Sequence, residues 1–444
     1  MHLYKSTTFF CILVFLLSRQ VNAQNSSSTG IMALDEIWTI TESQNRQLKL
    51  SDLSRKEGLL SVLEARDKLL PELSVAGDAK LNSKFLIYDK GLFSSPEDVP
   101  VSGYGYSLGY SFNMNLFNGG RDRRNIRIKQ EEDARRQYEY DLQKNNTKYA
   151  VAAAYYDLYK FLQFKDFILA EITSEKKQLS TIQNLHKNGV VLKSDVLRTS
   201  VKLSQLELNY SDVEKKIALD KQRLNMLMGR SEDIPLDIPY RDSISIKQIA
   251  GAGFGDYLSI ALRESPQYKI VHSNIKLSEL NVKQVEAARL PRFSAYSNYN
   301  YTYPQISFYP YSNDLWGFGQ TGIKMQFPID NLYKSRHSIA RARVNTDQQK
   351  ESALIKRDEI SLQVKEAYLQ LQQAAENVET AKKNMIQSSE AVRVIRNSYM
   401  NQESLLTDLL DAENMLLETK FNLTAALVNL KLNHLRLLAI TGIL

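Results

Sequence analysis

Five histidines, one cysteine and one glycine cluster are the first places to look in this sequence for metal, nucleophilic or phosphate chemistry. His2, His186, His272, His337 and His434 stand apart, no two of them at metal-ligand spacing, and neither an H-E-x-x-H nor a G-x-S-x-G string occurs. His186 could ligate a metal only if copies of the chain shared it, and a polar surface role is the plainer reading. Cys11 falls in an N-terminal segment expected to be removed, so zinc, iron–sulfur and thiol-nucleophile sites are excluded from the mature chain. "GAGFG" at 251 to 255 has the wrong spacing for a phosphate loop and no strand leads into it, which makes it a flexible connector. No catalytic, cofactor-binding or metal residue is expected, and no enzyme.

Binding chemistry is better represented. "GVVLKSDVL" at 189 to 197 and "QESLLTDLL" at 402 to 410 each place exposed apolar residues before an aspartate that can hold the free amides of a helix start. The two stretches lie 213 positions apart. The same offset carries Phe112 onto Met325, Asn118 onto Asn331, Arg123 onto Arg336, Tyr155 onto Tyr368 and Gly229 onto Gly442. Upstream the offset becomes 220 and pairs Pro71 with Pro291. One constant offset over so long a stretch marks a duplication.

The elements that hold these turns follow from punctuation and period. Lys5, an apolar run from Phe9 to Leu17 and "VNA" before Gln24 read as a signal peptide over 1–23, the run being about half of what a spanning helix needs. Its loss takes Lys5 and Arg19 and lowers the formal charge from +7 to +5, with acids and bases interspersed. That balance does not suit nucleic acid. The rest divides into a first repeat (24–229), an inter-repeat connector (230–255) and a second repeat (256–444). Stretches free of proline and nearly free of glycine predict long helices over about 121–187, 194–228, 334–400 and 407–441. In the returning helices Val196, Leu203, Tyr210, Ile217 and Leu224, and again Leu409, Leu416, Leu423, Leu430 and Leu437, recur every seven residues, a coiled-coil signature.

Before each long helix the period changes to two. Tyr104, Tyr106, Leu108, Tyr110, Phe112, Met114 and Leu116 alternate with Gly, Ser and Asn; Ile323, Met325, Phe327 and Ile329 repeat the pattern. Trp316 and Phe318 fall on the other parity, so a register irregularity is expected there. Strands are predicted over about 71–88, 103–118, 291–303 and 315–329, with loops near 89–102 and 304–314. Strands with one apolar, aromatic face and one small, polar face suit an outer-membrane barrel. Four of them cannot close one, so several chains must share it. The competing reading is a periplasmic structural or adaptor-like coiled coil that does not span the membrane.

The two copies of hairpin plus long helical hairpin, the Gly189-to-Asp195 turn, "LFNGGRDR" at 116 to 123 and "DLLDAE" at 408 to 413 together resemble the TolC family of outer-membrane efflux proteins. The resemblance implies a mostly α fold with a β-barrel portion: a homotrimer in which twelve strands form one barrel in outer-membrane lipid above a periplasmic α-barrel tunnel. It further implies an exit duct working with a periplasmic membrane fusion (adaptor) protein and an inner-membrane pump or ABC transporter. The adaptor-docking tips are then Gly189, Val190, Val191, Leu192, Ser194, Asp195, Gln402, Ser404, Leu405, Leu406 and Asp408. Gln402 replaces the glycine of the first turn, so the second turn is expected to be shaped differently. Where the family's best-known member narrows with an acidic pair, this sequence places Arg393 and Arg396. These are expected either as a positive selectivity ring or in pairs with Glu390 or Glu403.

Overall fold

The computed structural model describes residues 31–239 and 253–444; the signal segment 1–23 and the middle of the connector lie outside them. Of "GAGFG", the described part begins a helix, with Gly253 as the N-cap residue and its N–H donating to Asp256 Oδ2 at 2.9 Å.

Helix formation follows the breaker-free stretches. Helix α1 (Leu34–Gln44) breaks from α2 (Arg46–Asp67) at Asn45, whose Oδ1 accepts from the Leu48 N–H at 2.9 Å. The second repeat has the same break: α5 (Phe254–Glu264) gives way at Ser265 to α6 (Pro266–Glu286), which has proline in its first turn. The long helix α3 (Arg121–Lys187) has 67 residues and α8 (Arg336–Met400) has 65, each about 100 Å long. A single turn, α7 (Asn331–Lys334), precedes α8, and the returning helices α4 (Lys193–Met228) and α9 (Leu406–Thr441) have 36 residues each.

The helices lie side by side. On the sheet side of the molecule α3 packs between α2 and α6, and α6 packs on α8; toward the tips the order is α4, α3, α9, α8. The main core joins Val151, Tyr155 and Leu158 of α3 to Ile37 of α1, Leu224 of α4 and Val428 of α9. A second core joins Ile360, Val364 and Leu371 of α8 to Leu430 and Leu437 of α9. The seven-residue stripes are only partly the buried ones. Leu203 and Tyr210 are half-buried, while α4 buries Leu206 and Val213, then Ile217 and Leu224. A helix of 3.6 residues per turn drifts against a strict heptad, and the buried line steps by eleven residues, about three turns.

Strands β1 (Glu72–Leu81), β4 (Tyr104–Phe117), β5 (Arg292–Tyr303) and β6 (Trp316–Gln326) form one antiparallel sheet in the order β1-β4-β5-β6. The β4–β5 pair joins the two repeats. The first strand stops at Leu81 rather than near 88; the end of its expected range, as β2 (Phe85–Ile87), pairs with β3 (Glu97–Val99) from the expected loop in a separate two-stranded hairpin.

Register sets the faces. Tyr110 stands opposite Tyr299 and Val75, and Tyr299 opposite Gly319, so these share the apolar face. The expected irregularity at Trp316 and Phe318 is absent: β5 and β6 pair continuously there, and the one register shift falls between Asn115 and Phe117, where β4 meets β5. The reason is steric. A Cβ on Gly319 would lie 2.5 Å from the Tyr299 ring, and one on Gly317 would lie 2.9 Å from Tyr301. Tyrosines of β5 cover the apolar face over these glycines, and the aromatic residues of β6 take the polar face.

Gly319→Val is therefore expected to lower the thermal midpoint of the detergent-solubilised protein by the equivalent of ~1–3 kcal/mol of overpacking. Gly255→Ala, with nothing within 4 Å of the added methyl, should leave the midpoint unchanged or slightly raised. Equal effects of the two changes would contradict the steric explanation.

Candidate functional site

The turns between the long helices are built alike. Gly189 ends α3 at φ 75°, with its N–H donating to the His186 carbonyl and that of Val190 to the Leu185 carbonyl, both at 2.9 Å. Gln402 ends α8 at φ 62°, with the same two bonds to Tyr399 at 3.0 Å and, from Glu403, to Ser398 at 2.8 Å. The second turn thus keeps the shape of the first. It is the only non-glycine residue at positive φ among the described residues, and it carries the ~1–2 kcal/mol that a side chain costs there. His186 Nδ1 donates to the Val191 carbonyl at 3.0 Å and so braces the first turn.

After each turn a leucine stands at the N-cap. The Leu192 N–H donates to Asp195 Oδ2 at 3.4 Å, and that of Leu405 to Asp408 Oδ2 at 3.2 Å. Ser194 Oγ reaches Asp195 Oδ1 at 3.5 Å, and Ser404 Oγ donates to the Ile395 carbonyl at 3.4 Å. A leucine side chain cannot cap, and Leu192 and Leu405 are 72% and 69% exposed. Val190 also faces solvent. Leu406 does not: it is 4% exposed and packs with Ile182 and Leu410, against Val191, Val196 and Tyr399. Leu406 and Val191 therefore hold the two hairpins together, because the tips lie against each other and not apart. Of the apolar residues expected at the tips, Leu192, Leu405 and Val190 are the exposed ones.

About three turns above the tips, all four long helices contribute to one buried ionic cluster. Lys202 Nζ of α4 lies 2.6 Å from Glu413 Oε2 of α9, and 3.2 and 3.4 Å from Glu175 and Glu171 of α3. Arg396 of α8 donates to the other oxygen of Glu413 at 2.9 Å. Oxygens of Glu171, Glu175 and Glu413 lie within 4.8 Å of one another, close enough to share a cation, and the Lys202 ammonium fills that position. Arg393 makes two bonds to Glu390, at 2.6 and 2.8 Å. Of the two arrangements expected for Arg393 and Arg396, the structure has the paired one: Arg393 takes Glu390, and Arg396 takes Glu413 rather than Glu403.

These features sit within a chain that matches a known family over residues 40–230 and 257–443, one segment on each repeat, under the description outer membrane efflux protein. The chain belongs to the outer membrane efflux protein family. Solved structures share the fold. VceC, an outer membrane protein of Vibrio cholerae, superposes with a TM-score of 0.75 at 14% identity, covering 92% of this chain and 96% of its own. The CmeC outer membrane channel of Campylobacter jejuni gives 0.76 at 13% identity over 92% and 85%. The MtrE outer membrane channel of Neisseria gonorrhoeae, in its open state, gives 0.74 at 16% over 92% and 88%. No curated protein matches by sequence. Its family makes the efflux protein an exit duct of the outer membrane, and the similar structures are outer-membrane channels. Among the described residues no helix is long and apolar enough to cross a membrane, and the sheet is the part suited to lipid.

The ionic cluster of the efflux protein escaped notice in the sequence because its members lie far apart in the chain. Two signals were present: Lys202 interrupts the buried line between Thr199 and Leu206, and Glu175 lies one turn after Glu171 on a face shared with Ile168 and Ile172. Glu175 is 1% exposed and its Oε1 meets no donor. Burial raises its pKa above the usual carboxylate value, against the pull of Lys202. Lys202 also is raised: burial opposes its charge, but Glu413, Glu175 and Glu171 together outweigh that. With three carboxylates facing Lys202 and Arg396, a proton on Glu175 brings the cluster to neutrality.

The sign of the pH effect follows. A carboxyl whose folded pKa is raised contributes stability that is complete below 4.5 and is lost as pH rises through the folded value. Lys202 keeps its contribution up to about 10.5 and loses it above. Glu175→Gln should therefore match the wild-type thermal midpoint at pH 4.5 and exceed it as pH rises above that. Lys202→Met, which takes their shared cation from buried Glu175 and Glu413 and half-buried Glu171 and leaves only Glu413 with Arg396, should cost ~3–5 kcal/mol near neutrality. A Glu175→Gln midpoint that falls further below wild type as pH rises would contradict this assignment.

Proposed function

We propose that the protein acts as a homotrimer and passes solutes passively from a periplasmic adaptor protein and an inner-membrane pump to the exterior. Two kinds of open edge support the trimer. The sheet ends in unpaired strands β1 and β6, and in lipid every backbone amide and carbonyl needs a partner, so closure must come from other chains. Three copies supply twelve strands, enough to surround a water-filled passage. The helical wall ends in α4, with exposed Val201 and Leu208, and in α8, with exposed Ile355, Leu362 and Leu369. Heptad-spaced apolar residues on two different edges suit a head-to-tail ring of identical chains.

The observation that carries the docking assignment is the pair of exposed N-cap leucines, one per repeat at equivalent positions. An apolar residue there weakens the helix start by ~0.5–2 kcal/mol relative to Ser or Asp and exposes a hydrophobic surface, so its retention supports a contact with another protein. Gly189 and Gln402 shape the turns, Asp195 and Asp408 fix the helix starts, and Leu192, Leu405 and Val190 make the contact. A trimer presents six such tips, and we assign them to a ring of adaptor subunits, served by a pump of either the proton-driven or the ABC type. In the narrow end of the tunnel, Arg393 and Arg396 belong to the wall as balanced pairs, which argues for weak charge selection rather than a strongly positive ring.

Leu192→Asp combined with Leu405→Asp should abolish export from cells while leaving the amount, membrane insertion and assembly of the protein unchanged, because an unpaired carboxylate in a contact costs several kcal/mol by general estimates. Full export by this variant at normal protein level would place the adaptor contact elsewhere.

A further inference from the structure

The polar face of the sheet carries a feature that passive conduction does not require. Trp316 and Phe318 stand on it with their rings nearly parallel, 5.4 Å between centroids and 22° between planes. Phe308, from the connection between β5 and β6, meets the indole edge-on at 4.6 Å. Register places Trp316 beside Thr302, Phe318 beside Asn300 and Gln320 beside Asn298, so amides and a hydroxyl flank the rings on one face. With Gln305 they line a cleft of about 510 Å³, and among the described residues no charged side chain lines it. Phe318 is 51% exposed, an unusual cost on a face made mostly of small and polar residues. Gln305 is nearly buried; its Nε2 donates to the Phe308 carbonyl at 3.0 Å, and its Oε1 meets no donor within the chain.

We propose that this cleft binds a neutral saccharide ring. One face of a pyranose is a plane of C–H groups that packs on an aromatic ring, and its neighbouring hydroxyls both donate and accept, which matches the Asn298 amide nitrogen, the Asn300 amide oxygen and the Gln320 amide; Asn298 Oδ1 already accepts from the Gln320 N–H and Asn300 Nδ2 donates to Thr302 Oγ1. A flat aromatic solute would stack as well but would cover these free amide atoms without pairing them. An ion would find no opposite charge. The site rests on the duct reading, since only a barrel that turns its polar face inward puts the cleft in the path of solutes. Three copies then set three clefts in one ring near the outer loops, open to sugars leaving the cell or arriving from outside.

The test uses purified full-length protein in a planar bilayer with maltohexaose as the probe. Wild-type channels should show concentration-dependent current block. Trp316→Ala should need about tenfold more sugar for half-block, the loss of roughly one stacking contact. Block from the loop side alone would mark an external sugar, and block from both sides a sugar in transit. A second readout does not depend on conduction. The chain has two tryptophans, Trp38 and Trp316. Maltohexaose should shift the emission of the wild type and not that of Trp316→Phe, a variant that keeps an aromatic ring for folding. Absence of any conductance would defeat the duct reading. Normal conductance with neither block nor emission shift, block unchanged in Trp316→Ala, or block only by a neutral planar aromatic compound would overturn the saccharide site.

Discussion

Everything in this molecule follows from edges that one chain cannot close. In water, an open sheet edge is tolerable because solvent pairs with the free amides and carbonyls; in hydrocarbon it is not. The four strands have one face of tyrosine and aliphatic side chains, which water disfavours, and two edges, which lipid forbids. Only a closed ring of strands satisfies both demands. The helices obey the same constraint in a milder form, because their exposed apolar stripes on α4 and α8 are costly in water and would be covered if neighbouring copies met there.

Within that frame the tip end and the sheet end solve different problems. At the tips the chain spends its apolar residues twice: Ile182, Leu406, Leu410 and Val191 bind the two hairpins to each other, while Leu192 and Leu405 stay outside. Just above, the four long helices meet at Lys202, Glu175, Glu413 and Arg396, where packing and charge are coupled. Replacing such a cluster with apolar residues often leaves stability unchanged or improved. Its presence in this wall ties both repeats together through groups that respond to protons. At the sheet end, glycine and tyrosine exchange places between β6 and β5, which moves two aromatic rings from the lipid side to the water side.

Much of the architecture was legible in the sequence, because long helices and alternating strands are local patterns. The breaker-free stretches mark α3, α4, α8 and α9, and the 213-residue offset announces two copies. What escaped was whatever depends on a partner distant in the chain. Trp316 and Phe318 looked like a slip in register because the tyrosines that cover Gly317 and Gly319 lie on another strand. Gln402 looked like a changed turn because side-chain type is a weaker constraint than the hydrogen bonds that close the helix end. The partner of Arg396 was sought nearby, at Glu390 or Glu403, because Glu413 approaches it only after the chain has turned back on itself. The β2–β3 hairpin is too short to leave a periodic signal.

The central claim is that one chain is a third of a barrel, and the mass of the detergent-solubilised particle, measured by light scattering with the detergent contribution removed, tests it most directly. The expected result is a single species of three chains, whose strands resist exchange and whose dissociation coincides with loss of sheet structure. A folded, membrane-inserted particle with the mass of one chain would contradict the account.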